Sequence, residues 1–135
     1  MNRTPLLWAS STGNVEVTKV LLDTGRVDLN CTDDYNQTPC WWAAVSGHES
    51  ILQLLFAQRG IGINVRDSRH GRTPLACAAR TGNESIFQLL LAKRGVDLES
   101  TNLYGQTPLS EAAEEGHAAI VEQLLSKKGV NANSK

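Results

Sequence analysis

The sequence predicts an all-α solenoid, a stack of short helix pairs, and three observations predict it. A Thr-Pro pair recurs at Thr4-Pro5, Thr38-Pro39, Thr73-Pro74 and Thr107-Pro108, with spacings of 34, 35 and 34 residues. A glycine follows in the same phase, at Gly13, Gly47, Gly82 and Gly116. After each glycine comes an apolar stripe: Val17, Ile51, Ile86 and Ile120 four residues on, then Leu21-Leu22, Leu55-Phe56, Leu90-Leu91 and Leu124-Leu125 at eight and nine. A unit this short cannot bury its own apolar face, so neighbouring units must stack. The phase divides the chain into units 1–32, 33–67, 68–101 and 102–135, about four in all.

Each first helix opens at its Thr-Pro. The Thr hydroxyl accepts from a free N–H of the first turn, and Pro at the first helical position loses no bond and already has helical φ. The helix stops about eight residues later, where glycine supplies a positive φ. In the third unit Leu75, Ala78 and Ala79 share one side by i, i+3, i+4 spacing and face the core, while Cys77, Arg80 and Thr81 lie opposite.

The second helix begins at Asn14, His48, Asn83 or His117. Glu16, Glu49 and Glu84 fall in its first turn, and Arg59, Lys93, Arg94, Lys127 and Lys128 near its end, the polarity that suits the helix dipole. The stripe Ile86, Phe87, Leu89, Leu90 and Leu91 is wide enough to meet both its own partner helix and the next unit. Leu89 and Leu90 are expected in the core, and Gln88 and Lys93 on the outer surface.

Gly25, Gly60, Gly95 or Gly129 then leads into a short extended piece and a tight turn, at 33–37, 67–72 and 102–106. Gly71 and Gly105 take the left-handed position of the turn, and Asn36 stands in for glycine there. One extra residue between Ile63 and Thr73 makes the second turn longer than its neighbours. Neither terminal unit exchanges its apolar positions for polar ones, as a capping unit would. The expectation is a segment of a longer array, monomeric, with weak self-association open to its uncapped ends.

Thirteen basic and fourteen acidic residues give a net charge near zero, so nothing favours nucleic acid, whose affinity comes from cations at phosphates. Cys31, Cys40 and Cys77 are odd in number and lack C-x-x-C spacing, which indicates reduced thiols and no zinc site. The opening MNRTPLLWASS is not a secretory signal, and no apolar run approaches the roughly 20 residues of a membrane span. The chain is therefore expected inside a cell, in the cytoplasm. N-x-S/T acceptors at Asn2, Asn30, Asn36 and Asn83 are read as products of turn and cap geometry.

The pattern G-x-TPL-x-x-AA-x-x-G-H/N-x-x-I-x-x-LL-x-x-x-G-V-D resembles the ankyrin repeat, over essentially the whole chain. Its best copy is GRTPLACAARTGNESIFQLLLAKRGVDLES, Gly71 to Ser100. The resemblance implies an ankyrin-repeat solenoid of about four helix-turn-helix units with projecting hairpins, and a concave face used to bind other proteins. RTPL, the extra hairpin residue and the GVD or GVN ending look most like long arrays of fungal proteins, including the sensing ends of receptor-like NTPases. The family usually has His two residues after its Pro-Leu start, but this chain has Leu7, Trp41, Ala76 and Ser110 there, so that hydrogen-bond network is absent or rebuilt. Cys40 replaces a leucine and Ser10 an alanine, which loosens units one and two.

The non-core face of the first helices runs through Trp8/Ser11/Thr12, Trp42/Val45/Ser46, Cys77/Arg80/Thr81 and Glu111/Glu114/Glu115, from aromatic through basic to acidic. With the turn tips it gives the expected partner-binding set: Tyr35, Trp42, Val45, Arg69, His70, Arg72, Arg80, Tyr104, Glu111, Glu114 and Glu115. Trp and Arg on a surface favour interface hot spots, while Trp8 and Trp42 can equally stack on each other between units. No nucleophile sits beside a base, since Cys40 points inward and His48 fills a position taken elsewhere by Asn; His70 has no second ligand at metal spacing. No catalysis, cofactor or metal is expected. Two functions remain, a module that binds another protein and a spacer or self-associating scaffold, natural or designed, with no outside ligand.

Overall fold

A computed structural model describes residues 3–128. The Thr-Pro and glycine marks become helix pairs: α1 (Pro5–Thr12) with α2 (Val15–Asp23), α3 (Pro39–Ser46) with α4 (Glu49–Phe56), α5 (Pro74–Thr81) with α6 (Glu84–Leu91), and α7 (Pro108–Glu115) with α8 (Ala118–Lys128). Among the described residues there is no strand. Odd-numbered helices pack side by side in an inner row, even-numbered ones in an outer row, and each pair packs on itself.

Local chemistry explains the inner helices. Thr4, Thr38, Thr73 and Thr107 accept from the N–H of Leu7, Trp41, Ala76 and Ser110 at 3.0 to 3.3 Å. In α7 the missing histidine is replaced locally by a capping box, in which Ser110 Oγ takes the N–H of Thr107. Small residues on the facing sides, Ala9, Ala43, Ala44, Ala78, Ala79 and Ala112, let these helices approach closely.

The outer helices supply the larger side chains of the core, including Ile51, Leu52, Leu55, Ile86, Phe87, Leu90, Ile120 and Leu124. Leu89 departs from expectation. Phe87 is fully buried and Leu89 only partly, because α6 turns Ile86, Phe87 and Leu90 towards the inner row and leaves Leu89 on its flank. Lys93 also departs: its Nζ donates to Phe56 O at 3.0 Å and lies 5.1 Å from the centre of the Phe56 ring, so it ties α4 to the end of α6. Arg59, Lys93 and Arg94 follow the helices rather than ending them, since α4 stops at Phe56 and α6 at Leu91; of the outer helices only α8 has basic residues, Lys127 and Lys128, in its last turn.

Asn14 and Asn83 cap α2 and α6, accepting from Val17 N and Ile86 N. His48 does not cap. Its Nε2–H reaches back to Ser11 O at 3.2 Å, as that of His117 reaches Arg80 O at 3.0 Å, so each histidine fastens its pair to the preceding inner helix. The stop glycine of that preceding helix serves two ends: Gly82 has φ +80, and a Cβ there would meet the His117 ring at 2.5 Å.

The turns keep the expected conformation, with Asn36, Gly71 and Gly105 at φ 60, 71 and 78. They close from Asp33 N to Gln37 O, Asp67 N to Arg72 O and Asn102 N to Gln106 O, so the second is one residue longer. Adjacent tips are joined by Ser68 N donating to Tyr35 O and Leu103 N to His70 O, both at 2.8 Å. At the opposite edge Asn30 donates to Gly60 O and accepts from Gly62 N; Asn64 makes the same bracket with Gly95 O and Asp97 N. The equivalent third residue is Glu99, which pairs with Lys128 at 2.6 Å. Asn36 and Asn83 thus serve turn and cap geometry, Asn30 instead bridges to the next pair, and Asn2 and Gly129 lie outside the described residues.

Candidate functional site

The face formed by the inner helices and the turn tips is organised from the turns. Asp33 Oδ1 accepts from Tyr35 N and Gln37 N, Asp67 accepts from His70 N and Arg72 N, and Asn102 Oδ1 accepts from Tyr104 N and Gln106 N. These three side chains hold the tips rigid and so fix where Tyr35, Arg69, His70 and Tyr104 stand.

Two adjoining cavities lie along the face. The first, about 340 Å³, is lined by Arg3, Asp33, Asp34, Tyr35, Gln37, Trp41, Trp42, Val45 and Arg69. Trp42 donates its Nε1–H to Asp33 Oδ2 at 3.0 Å and sets its ring edge-on to Trp41, with centroids 5.3 Å apart. Trp8 and Trp42 are joined through Arg3, whose guanidinium lies 4.8 Å from one ring and 4.1 Å from the other, a cation–π arrangement in place of direct stacking. Arg69 lies 4.0 Å over Tyr35 in the same way. The second cavity, about 370 Å³, is lined by Trp41, Val45, His70, Arg72, Cys77, Arg80, Thr81 and Tyr104. Trp41 and Val45 belong to both, so the two form one groove with a shared wall.

Of the expected site residues, Tyr35, Trp42, Val45, Arg69, His70, Arg72, Arg80 and Tyr104 line this groove. Glu111 does not. It is 2% exposed, its Oε1 accepts from Arg72 Nε at 2.6 Å and from Asn102 Nδ2 at 3.0 Å, and it props the second turn from beneath. Cys77 is likewise buried rather than on the open face. The helical phase was right for both, but the base of a turn covers the position nearest to it, and only the residues three and four further on, such as Arg80 and Glu114, stay open. Glu114 accepts from Gln106 Nε2 at 2.9 Å, and Glu115 is exposed; neither lines the groove.

Trp41, Arg3, Asp33 and Asp34 line the groove without having been singled out. A signal for Asp33 was present, since Asp33, Asp67 and Asn102 recur in the phase of the repeat and an Asx side chain at a turn start is a known organiser. Trp41 was visible only as a missing histidine.

Burial disfavours the thiolate at all three cysteines. Burial pushes Cys40 and Cys77 up to about 12, and burial also raises Cys31, so the reactive thiolate is scarce near neutrality. Among the described residues, no cluster of three or more His, Cys, Asp or Glu has a metal-binding arrangement, and no helix is long and apolar enough to cross a membrane.

A search of curated proteins finds no match to the chain. The family model for ankyrin repeats, spanning three copies, matches residues 1–67 and again 59–135. With its Thr-Pro-capped inner helices, glycine stops and projecting turns, the chain belongs to the ankyrin-repeat family.

Proposed function

We propose that the chain is a recognition module that holds a partner protein along the groove from Tyr35 to Tyr104. Ankyrin repeats are in general protein–protein interaction modules and typically non-enzymatic. The observation that carries the choice of face is the groove itself: two adjoining cavities lined by aromatic and arginine side chains, the residue types that dominate interface energetics. A spacer array has no need of Trp42, Arg80 and Tyr104 on one concave surface. Three free cysteines support a reducing, intracellular setting.

The test begins with a pull-down from source cells using the whole chain as bait, followed by calorimetric titration of the captured protein. Replacing Arg80 and Tyr104 together by Ala should weaken binding by at least about 2 kcal/mol if both are hot spots, with little change in melting temperature. The control pair is Gln53 and Gln88, both exposed on the outer row. Loss confined to the outer pair would place the binding surface elsewhere.

A further inference from the structure

We infer that the cavity between the second and third turns receives an acidic side chain, Asp or Glu, from an internal segment of the partner, with an apolar neighbour lying on Trp41 and Val45. This rests on the recognition reading above and names the chemistry of its central contact.

The charge of the lining carries the inference. Of the residues around this cavity two are arginines, Arg72 and Arg80, and none is acidic. The adjoining cavity also has two arginines, but there Asp33 and Asp34 stand in the same wall and Arg3 and Arg69 lie on aromatic rings. In the second cavity buried Glu111 meets Arg72 from behind the wall, and Arg80 alone is left without a compensating carboxylate among the described residues.

Its two arginines play different parts. Arg72 is fixed through Nε to buried Glu111, and its Nη groups make no hydrogen bond among the described residues. It presents donors in a set orientation, with its net charge already met. Arg80 is exposed, and among the described residues its guanidinium makes neither an ion pair nor a hydrogen bond. Its backbone is held, because the carbonyl accepts from His117 Nε2 and the residue sits in the last turn of α5. A rigid backbone bearing an uncompensated guanidinium beside a second donor fork matches the two oxygens of a carboxylate. The remaining walls are Trp41, Val45, His70, Cys77 and Tyr104, with Thr81, whose hydroxyl donates to Cys77 O, and about 370 Å³ suits a few side chains of an extended segment rather than a whole helix.

The experiment pans a phage-displayed library of random peptides, fused through their C-termini so that only side-chain carboxylates are offered, against the whole chain. The expected result is enrichment of Asp or Glu next to an apolar residue. The synthetic consensus peptide should then lose about tenfold or more in affinity when its acid is changed to the amide, the size of a charge-assisted contact. In Arg80→Gln the acid and amide peptides should bind alike, while Arg80→Lys should keep part of the preference; unchanged melting of both variants confirms that folding is intact. Peptides without acidic enrichment, equal binding of acid and amide to the unaltered chain, or an acid preference that survives in Arg80→Gln would each overturn the carboxylate while leaving the groove as a recognition surface. If selected peptides bind but are indifferent to both Arg80→Gln and Tyr104→Ala, the groove reading fails with it. A library that yields no binder overturns both.

Discussion

The third and fourth helix pairs share one sequence frame and end up unlike. In α5 every residue from Pro74 to Ala79 is buried, whereas α7 buries only Pro108, Glu111 and Ala112. The difference lies in position, since α5 packs between α3 and α7 while α7 packs on α5 and on α8. Leu75 and Leu109 fill the same place in the repeat, yet Leu75 has no exposed surface and Leu109 is only partly covered. Burial in a solenoid belongs to the neighbours as much as to the residue.

The strongest way to break this comparison is to cut the same side chain in both pairs. Leu75→Ala should cost about 2 to 5 kcal/mol in urea denaturation, the range for a large-to-small core change. Leu109→Ala should cost about 1 kcal/mol, since less apolar area leaves water there. Equal losses would show that the two pairs are equally supported. A smaller effect is expected at the one polar residue that the fourth pair buries deeply. Glu111→Gln keeps an acceptor for Arg72 but removes the charge, and should cost about 1 to 3 kcal/mol, while Glu114→Gln on the open face should stay within about 0.5 kcal/mol. If both changes prove silent, the Arg72–Glu111 contact is not holding the turn. The finest distinction concerns two stop glycines. Gly116→Ala carries only the left-handed strain of roughly 1 to 2 kcal/mol, because nothing lies within 4 Å of a Cβ there. Gly82→Ala must also displace the His117 ring, so it should lose about 1 kcal/mol more, with a shift of the His117 ring resonances in the NMR spectrum. Identical costs would remove the histidine from any role between pairs.

The fold was legible almost to the residue because its signals are local and repeated. Thr-Pro starts, glycine stops and the left-handed Asn36 depend on the backbone conformation of one or two residues, and each was found where the phase put it. What the phase did not disclose was cover from a neighbouring element. Helical spacing puts Cys77 and Glu111 on the same side as Arg80 and Glu114, but whether that side is open is decided by the base of a turn some 39 residues away in sequence, as for Arg72 on Glu111. Leu89 and Lys93 failed for the same reason, since the flank of α6 and the Phe56 carbonyl are set by packing between pairs. Arg3 between two tryptophans needed three elements at once, and nothing in the residue order announced it.

The edge opposite the tips carries one more consequence. Its first two joints are neutral amide brackets, built by Asn30 and Asn64 on backbone groups of the next pair, whereas the third is an ion pair between a mostly exposed Glu99 and a Lys128 whose side chain is largely covered. Screening by dissolved ions weakens a half-covered charge pair less than an exposed one, and leaves neutral hydrogen bonds nearly untouched. Ionic strength therefore acts at that edge on a single joint, so a change from dilute buffer to molar salt should weaken the tie to the last helix pair modestly while the first three keep their spacing.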